Sequence, residues 1–324
     1  MQAKTYQAFK RAVPSLTSRQ RKSIGLVLDQ YDQNTHQTFD KKLEQYFCQH
    51  PECPHCHTES IKKWGFRLGR QRFKCNICGK TFNAFTNTPL ARLRNPEKWP
   101  LYLQDMTESV TLRPAAKHCN ISLKTAFLWR HRFLAVLEND MTETLEGIVE
   151  LDETFFRESF KGQKVNLPRP ARKRGSQRKD DCKNIPVLVA KDRQGGIRDS
   201  QLDSLSLESM RPCLAGHIDP GTPICADAFT THECLAAELN LILKELVTSR
   251  GIHILEGIFH LQNVNAYHSH LKRWIEGTFH GVATRYLKHY LGWRRLLADR
   301  IPLTVKGLQE KIAHHWMKQH LAGT

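Results

Sequence analysis

Residues 147–156 read GIVELDETFF, and the assignment of that stretch decides the fold. Ile148, Val149 and Leu151 make a short apolar run, yet Glu150, Asp152 and Glu153 lie within it or just beyond it. A run of this length, rich in β-branched residues and opened by a glycine, predicts a strand over 148–152. Carboxylates are costly to bury unless a cation meets them, so three acids on one strand mark a place where something cationic is held. Side chains alternate along a strand, which puts Glu150 and Asp152 on one face and Glu153 on the other. Asp152, at the predicted strand end, is the acid expected to face a metal. Glu150 is expected to be an auxiliary acid, and Glu153 a structural partner to a nearby base.

The pattern recurs downstream. Strands are predicted over 184–190, 196–202 and 222–227, and the last again ends in an acid, Asp227, in the stretch PICAD. Acids at two strand ends, where side chains emerge at the rim of a sheet, are placed to share a divalent cation. A helix over 231–243, a short run at 246–248 and a longer helix from Asn263 to about Ile275 follow. Strands that give way to alternating helix and strand predict a mixed α/β sheet.

Upstream, Cys53-x-x-Cys56 and Cys75-x-x-Cys78 are separated by eighteen residues. That is the spacing of a tetrahedral four-thiolate zinc site rather than of a disulfide framework. His50, His55 and His57 are expected to be bystanders, because four thiolates fill the shell. The other six cysteines are scattered and expected mostly as buried small hydrophobes. Between the pairs, IKKWGFRLGRQRFKC interleaves basic and aromatic residues, as a β-hairpin over a metal site would. Trp64, Phe66 and Phe73 are expected to cover this ribbon, leaving Lys62, Lys63, Arg67, Arg70 and Arg72 outward and available to DNA.

Next, residues 99–138 show apolar positions at helical spacing with a break at Asn120-Ile121 and Ser122 as an N-cap. This predicts a helix-turn-helix-like pair whose second helix spans 123–137. Lys124, Arg130 and Arg132 are expected on the open face, with Ala126, Phe127 and Phe133 inward. Residues 1–47 also read as helical. The expected divisions are therefore 1–47, a ribbon over 48–90, a helical DNA-binding region over 91–145 and a catalytic domain over 146–324.

Charge points to the partner. The 324 residues carry a net charge of +17, with 40% apolar content, and the pI is near 9.5. Such an excess of cations suits a polyanion, and nucleic acid first. The stretch RPARKRGSQRK, 169–179, adds six basic residues in what reads as a loop that orders on DNA. No apolar run approaches the roughly 18 residues of a membrane span, and the start lacks the apolar segment of a secretion signal, so a cytoplasmic, nucleoid-associated protein is expected.

Taken together, CPHC…CNICGKTF, HCNISLKTAFLWRHR, GIVELDETFF, ICADAFTTH and FHLQNVNAYHSHLKRWIEGTFHGVATRYLKHYLGWRR resemble prokaryotic insertion-sequence transposases of the ISXO-like family. These carry an N-terminal zinc ribbon and an RNase H-like, DDE-type catalytic domain with a mixed central sheet. The resemblance implies a metal-binding triad of Asp152, Asp227 and, from a helix pattern N-x-x-[E/N]-x-x-x-x-x-L-K, Asn265, with Lys272 clamping a DNA phosphate. The pattern's leading Asn is Gln262 here, and Glu276, eleven residues beyond Asn265, is the competing third acid. It further implies Mg2+ or Mn2+ as catalytic ions beside structural Zn2+, and two-metal cleavage and strand transfer of double-stranded DNA. A working form of at least a homodimer is implied too. DNA contacts are expected from Arg172, Lys173, Arg174 and Arg273 as well as the ribbon and helix residues above. Two other outcomes fit the same domains: a catalytically silent, domesticated DNA-binding regulator, and a nuclease of the same fold that cuts without joining.

Overall fold

The computed structural model describes residues 13–15, 17, 39–49, 51–138, 140–163, 165, 167–168, 183–247, 250–298 and 303–321. Arg172, Lys173 and Arg174, with the whole predicted loop 169–179 and most of 1–47, lie outside these. The described residues divide into two compact units, one holding residues up to 87 with 92–100, the other 88–91 with 101–321.

The smaller unit is a ribbon. Helix α1 (Phe39–Gln49) accompanies three antiparallel strands in the order β1 (Ile61–Arg67), β2 (Arg70–Cys75) and β3 (Thr81–Phe82). Its core is a cluster of rings, with Phe47 of α1 5.1 Å from Phe73 and 6.2 Å from Phe82. Phe73 is buried as expected, but Trp64 and Phe66 are 45% and 74% exposed. The reason is topological: β1 is an edge strand, and α1 packs its ring on Phe73 and Phe82 of β2 and β3. Lys62, Lys63 and Arg67 face solvent. Arg70 instead turns in, its guanidinium 4.5 Å from the Phe85 ring and 5.7 Å from that of Trp99. Arg72 is half-buried and donates from Nη2 to Thr81 Oγ1 at 2.8 Å.

From Leu101 the larger unit takes in most of α2 (Trp99–Thr107), then α3 (Leu112–His118) and α4 (Leu123–Leu137). Asn120 turns the chain at φ 48°, and the Ser122 hydroxyl accepts the Thr125 N–H at 3.0 Å, capping α4 at the predicted residue. Ala126 and Phe133 are buried, whereas Phe127 is more than a third exposed. Arg130 is fully buried rather than open to DNA. It falls on the same helical stripe as Ala126, Phe133 and Leu137, and its planar guanidinium sits 5.0 Å from the Trp293 ring and 5.8 Å from Tyr102. Its Nη2 donates to the Val110 carbonyl at 2.6 Å.

Behind these helices lies a five-stranded sheet in the order β6-β5-β4-β7-β8. The strands are β4 (Val149–Arg157), β5 (Asn184–Asp192), β6 (Ile197–Gln201), β7 (Pro223–Asp227) and β8 (Ile242–Leu246). β4, β5 and β6 run antiparallel in sequence, and β7 and β8 continue parallel to β4. Alternate residues feed two cores. Val149, Leu151, Leu188 and Ile224 cluster with Met210 of α5 (Leu207–Leu214) and Leu235 of α6 (Thr230–Glu238). Val187, Val189 and Cys225 cluster with Val264, Leu271 and Ile275 of α7 (Gln262–Phe279) and Leu291 of α8 (Leu287–Ala298). A last helix, α9, spans Val305–Leu321.

Three expectations change. β4 continues to Arg157 because residues 153–157 pair with β5, so Asp152 stands mid-strand rather than at a strand end. The helix predicted to reach 243 stops at Glu238, since Ile242–Leu246 pairs in parallel with Pro223–Asp227. α7 also runs to Phe279, four residues beyond the predicted end. Of the scattered cysteines, Cys119 and Cys225 are buried, but Cys48 and Cys234 are exposed.

Candidate active site

β4 and β7 pair in parallel with Val149 opposite Ile224 and Glu150 opposite Cys225. Two residues further along this register, Asp152 stands level with Asp227, on the face of the sheet that α7 covers. Asp152 is held on a strand paired on both sides at its base, and Asp227 is the last residue of β7, where the backbone turns into α6. Burial pushes the Asp152 carboxyl up to about 6, and the charges of Glu153 and Asp227 push the same way, against a partial offset from the Glu153 N–H and His232. Its Oδ1 accepts that N–H at 2.9 Å.

Glu153 does meet a base. His232, buried on α6, places Nε2 2.8 Å from Glu153 Oε1 and Nδ1 3.0 Å from Asp227 Oδ1. Burial alone would lower its pKa, but the two carboxylates outweigh it and raise it. The ring thus ties Asp227 to β4 across the strand pair. Glu153, Asp227 and His232 bring three possible ligand atoms within 4.8 Å of one another.

α7 presents a different residue to Asp152 than the expected one. His268 is buried with Nδ1 3.6 Å from Asp152 Oδ2, and its Nε2 has no hydrogen-bond partner among the described residues. Burial and the nearby Lys272 charge lower its pKa to about 4. Asn265, one turn earlier on the same stripe, is exposed, and among the described residues no hydrogen bond joins it to Asp152 or Asp227. Lys272, one turn later, is half-buried; Arg273 and Glu276 are exposed. Sequence reasoning gave His232 no role and took His268, on the predicted helix, for a structural histidine. The available signals were the five-residue step from Asp227 to His232 and the i, i+3, i+7 stripe of Asn265, His268 and Lys272.

Residues on and just after β4 fix both ends of α7. Glu150, fully buried, accepts the N–H groups of Asn263 at 2.8 Å and Val264 at 3.0 Å and the Asn263 side-chain amide at 2.7 Å. Arg193 Nε lies 2.9 Å from the same carboxylate. Leu261, at the N-cap position, has no side-chain acceptor to offer, so Glu150 caps the helix from across the sheet. At the other end Lys161 Nζ donates to the carbonyls of Phe279, His280 and Gly281 at 2.6, 3.1 and 2.8 Å. An acid at the N-terminus and a base at the C-terminus both complement the helix dipole.

Do these residues fit a divalent cation? Glu153 and Asp227 flank the His232 imidazole, and burial together with those two carboxylates raises the Asp152 pKa. Hard carboxylate oxygens such as those of Asp152 and Asp227 suit Mg2+ or Mn2+, while both nitrogens of the His232 ring are taken up by carboxylates. In the ribbon, the four sulfurs of Cys53, Cys56, Cys75 and Cys78 lie within 4.8 Å of one another. Cys53 Sγ is 3.7 Å from Cys78 Sγ, and Cys56 Sγ 3.6 Å from Cys75 Sγ. Four thiolates at about 2.3 Å from zinc stand about 3.8 Å apart, so the cage fits that ion. Burial opposes ionisation of Cys75, but the N–H groups of Cys78 and Ile77 bring its pKa down to about 6.

Lys124 and Arg132 remain exposed on α4 beside Leu128. No described helix is long and apolar enough to cross a membrane. Residues 144–294 match the family model described as the ISXO2-like transposase domain. A curated relative, described as an uncharacterized protein in transposable element ISH50 of Halobacterium salinarum, is 27% identical over 247 residues, covering 74% of this chain and 82% of its own length. Among solved structures, a chain of the simian T-cell lymphotropic virus intasome in complex with PP2A regulatory subunit B56 gamma is 11% identical, covering 65% of this chain and 72% of its own, with a TM-score of 0.30. A chain of a pre-cleavage Mos1 transpososome is 12% identical, covering 69% and 77%, with a TM-score of 0.22. Superpositions this loose carry no conclusion about the present chain.

Proposed function

We propose, from the match of residues 144–294 to the ISXO2-like transposase domain, that the chain binds the ends of an insertion sequence and catalyses their cleavage and strand transfer. The observation that carries this reading is the level placement of Asp152 and Asp227 on adjacent parallel strands. The sheet order, three antiparallel strands continued by two parallel ones, supports an RNase H-like catalytic domain.

Asp152 and Asp227 would hold the catalytic Mg2+ or Mn2+, which when bound supplies a more acidic attacking hydroxyl and stabilises charge on the departing oxygen. Strand cleavage and strand transfer are one in-line displacement at phosphorus with a changed nucleophile, water first and a DNA 3′-hydroxyl next, so one site serves both. His232 keeps Asp227 turned toward Asp152. Asn265 is the oxygen donor that α7 would add from its exposed side, and Lys272 the cation for a neighbouring phosphate. Glu150 and Lys161 keep that helix in register with β4. Zn2+ in the four-cysteine cage is structural.

Duplex DNA would follow cationic side chains in both units: Lys62, Lys63 and Arg67 on the ribbon, Lys124 and Arg132 on α4, and Arg273 on α7. Arg172, Lys173 and Arg174 are proposed to join them when DNA is bound. Joining two ends to a target requires at least a dimer. A labelled duplex bearing the element's terminal inverted repeat tests the reading. With Mg2+ the chain should nick the repeat and join its 3′ end to a target plasmid, and EDTA should stop both. Nicking without joining would leave a nuclease, and neither reaction would defeat the proposal.

A further inference from the structure

Two residues at the tip of the ribbon's first hairpin are placed against their own structural interest. Arg67 pairs with Arg70, which leaves Leu68 and Gly69 as a two-residue loop with φ of 53° and 75°. Positive φ at both loop residues is the type I′ turn, whose first position favours Asn, Asp or Gly. A leucine there is strained, because its side chain crowds the backbone in the left-handed region. Burial does not compensate, since Leu68 is 94% exposed. Phe66, two residues earlier on β1, is the hairpin's next most exposed large apolar residue.

The strand also bends just before the tip. The pairing register shifts between Lys63 and Phe66, with Gly65 at φ 70°, and such a bulge sharpens the twist of a strand and re-aims the residues beyond it. Trp64, before the bulge, lies under the ammonium groups of Lys62 at 5.6 Å and Lys74 at 4.6 Å. Phe66 and Leu68 are therefore the apolar side chains the hairpin leaves open. Exposed apolar groups kept in a strained turn are the mark of a contact made with something else.

Charge identifies that partner. Residues 61–75 carry Lys62, Lys63, Arg67, Arg70, Arg72 and Lys74 and no acid. A short apolar projection bordered only by cations suits duplex DNA, in which Phe and Leu side chains wedge between base steps from the minor groove while cations meet the flanking phosphates. We propose that Phe66 and Leu68 form a wedge that enters the minor groove of double-stranded DNA and unstacks a base step, with Lys62, Lys63 and Arg67 on the adjoining phosphates. This deepens the DNA-binding reading above and rests on it.

The test uses the full chain and a terminal-repeat duplex carrying end dyes that report bending and 2-aminopurine that reports unstacking. Wild type should bend the duplex and brighten the 2-aminopurine. Leu68→Asn should lose both signals while its unfolding midpoint stays equal or rises, because asparagine suits the turn better; Phe66→Ser should lose both signals with zinc content unchanged. Lys62→Ala with Lys63→Ala should weaken binding and flatten its salt dependence, yet still bend the duplex at saturation. Wild-type signals from Leu68→Asn and Phe66→Ser would overturn the wedge, as would a wild-type chain that binds without unstacking. Binding of the tip to anionic lipid vesicles in place of DNA would overturn it too. The transposase reading fails separately: a chain that bends DNA through Leu68 but never nicks it loses only the catalytic proposal.

Discussion

Glu150 illustrates how one side chain links a strand to the geometry of a site. It is fully buried, yet five groups meet it: two backbone N–H groups and one amide at the start of α7, the Arg193 guanidinium, and the His260 ring with Nδ1 at 3.3 Å. Glu150→Ala would leave them without their acceptor, and breaking a buried pair of this kind costs about 3–5 kcal/mol. Urea unfolding should register that loss, and the cleavage rate should fall further than DNA affinity, because α7 carries His268 and Lys272 past Asp152. His131 gives a pH prediction. Burial, then the charges of His289, Arg130 and Arg285, hold its pKa down to about 3 from 6.5. Between those values the unfolded chain binds a proton that the folded chain refuses, so stability falls as pH drops, by up to about 1.4 kcal/mol per pH unit. His131→Phe, which keeps a ring against Tyr286, should show a shallower loss of unfolding free energy over that window. At this scale the sequence made Asp152 and Asp227 legible, because each closes an apolar run. Its reading did not extend to His268, whose role depends on which face of α7 meets the sheet, or to Arg130, whose guanidinium occupies an apolar stripe that counts of charge assign to solvent.

Among elements, α4 and α8 meet at a glycine. A Cβ on Gly292 would stand 2.9 Å from the Leu137 carbonyl oxygen and 3.1 Å from the Glu138 Cα, both backbone atoms. Gly292→Ala must push the helices apart, and overpacking of this sort costs about 1–3 kcal/mol. A lowered thermal midpoint would record it, whereas an unchanged midpoint would show that α8 shifts freely. Helix limits were partly legible in the sequence. Ser122 announces the start of α4 by local chemistry, and its hydroxyl does cap the helix. The extent of β4 and the break before β8 depend instead on pairing with β5 and β7, which no local pattern records. The ribbon's exposed Trp64 and Phe66 have the same origin: alternation predicts which residues share a face, but only the position of α1 decides which face is covered.

Over the whole molecule, the proposed function gives the net charge of +17 and the acid pair of the sheet one reaction to serve: cations would gather a polyanion, and two aspartates would hold the ion that acts on it. DNA affinity should therefore fall steeply and linearly with the logarithm of salt concentration, as counterion release requires, and a shallow slope would separate the charge from DNA binding. The most direct test of the account is cleavage of a terminal-repeat duplex by Asp152→Asn beside wild type, in Mg2+ and in Mn2+. Asn keeps the volume of Asp152 and removes the charge that burial already disfavours, so the variant should fold at least as stably, keep its zinc and bind the duplex with wild-type affinity. The account predicts that it neither nicks nor joins the DNA in either ion. Cleavage by Asp152→Asn at the wild-type rate would contradict it.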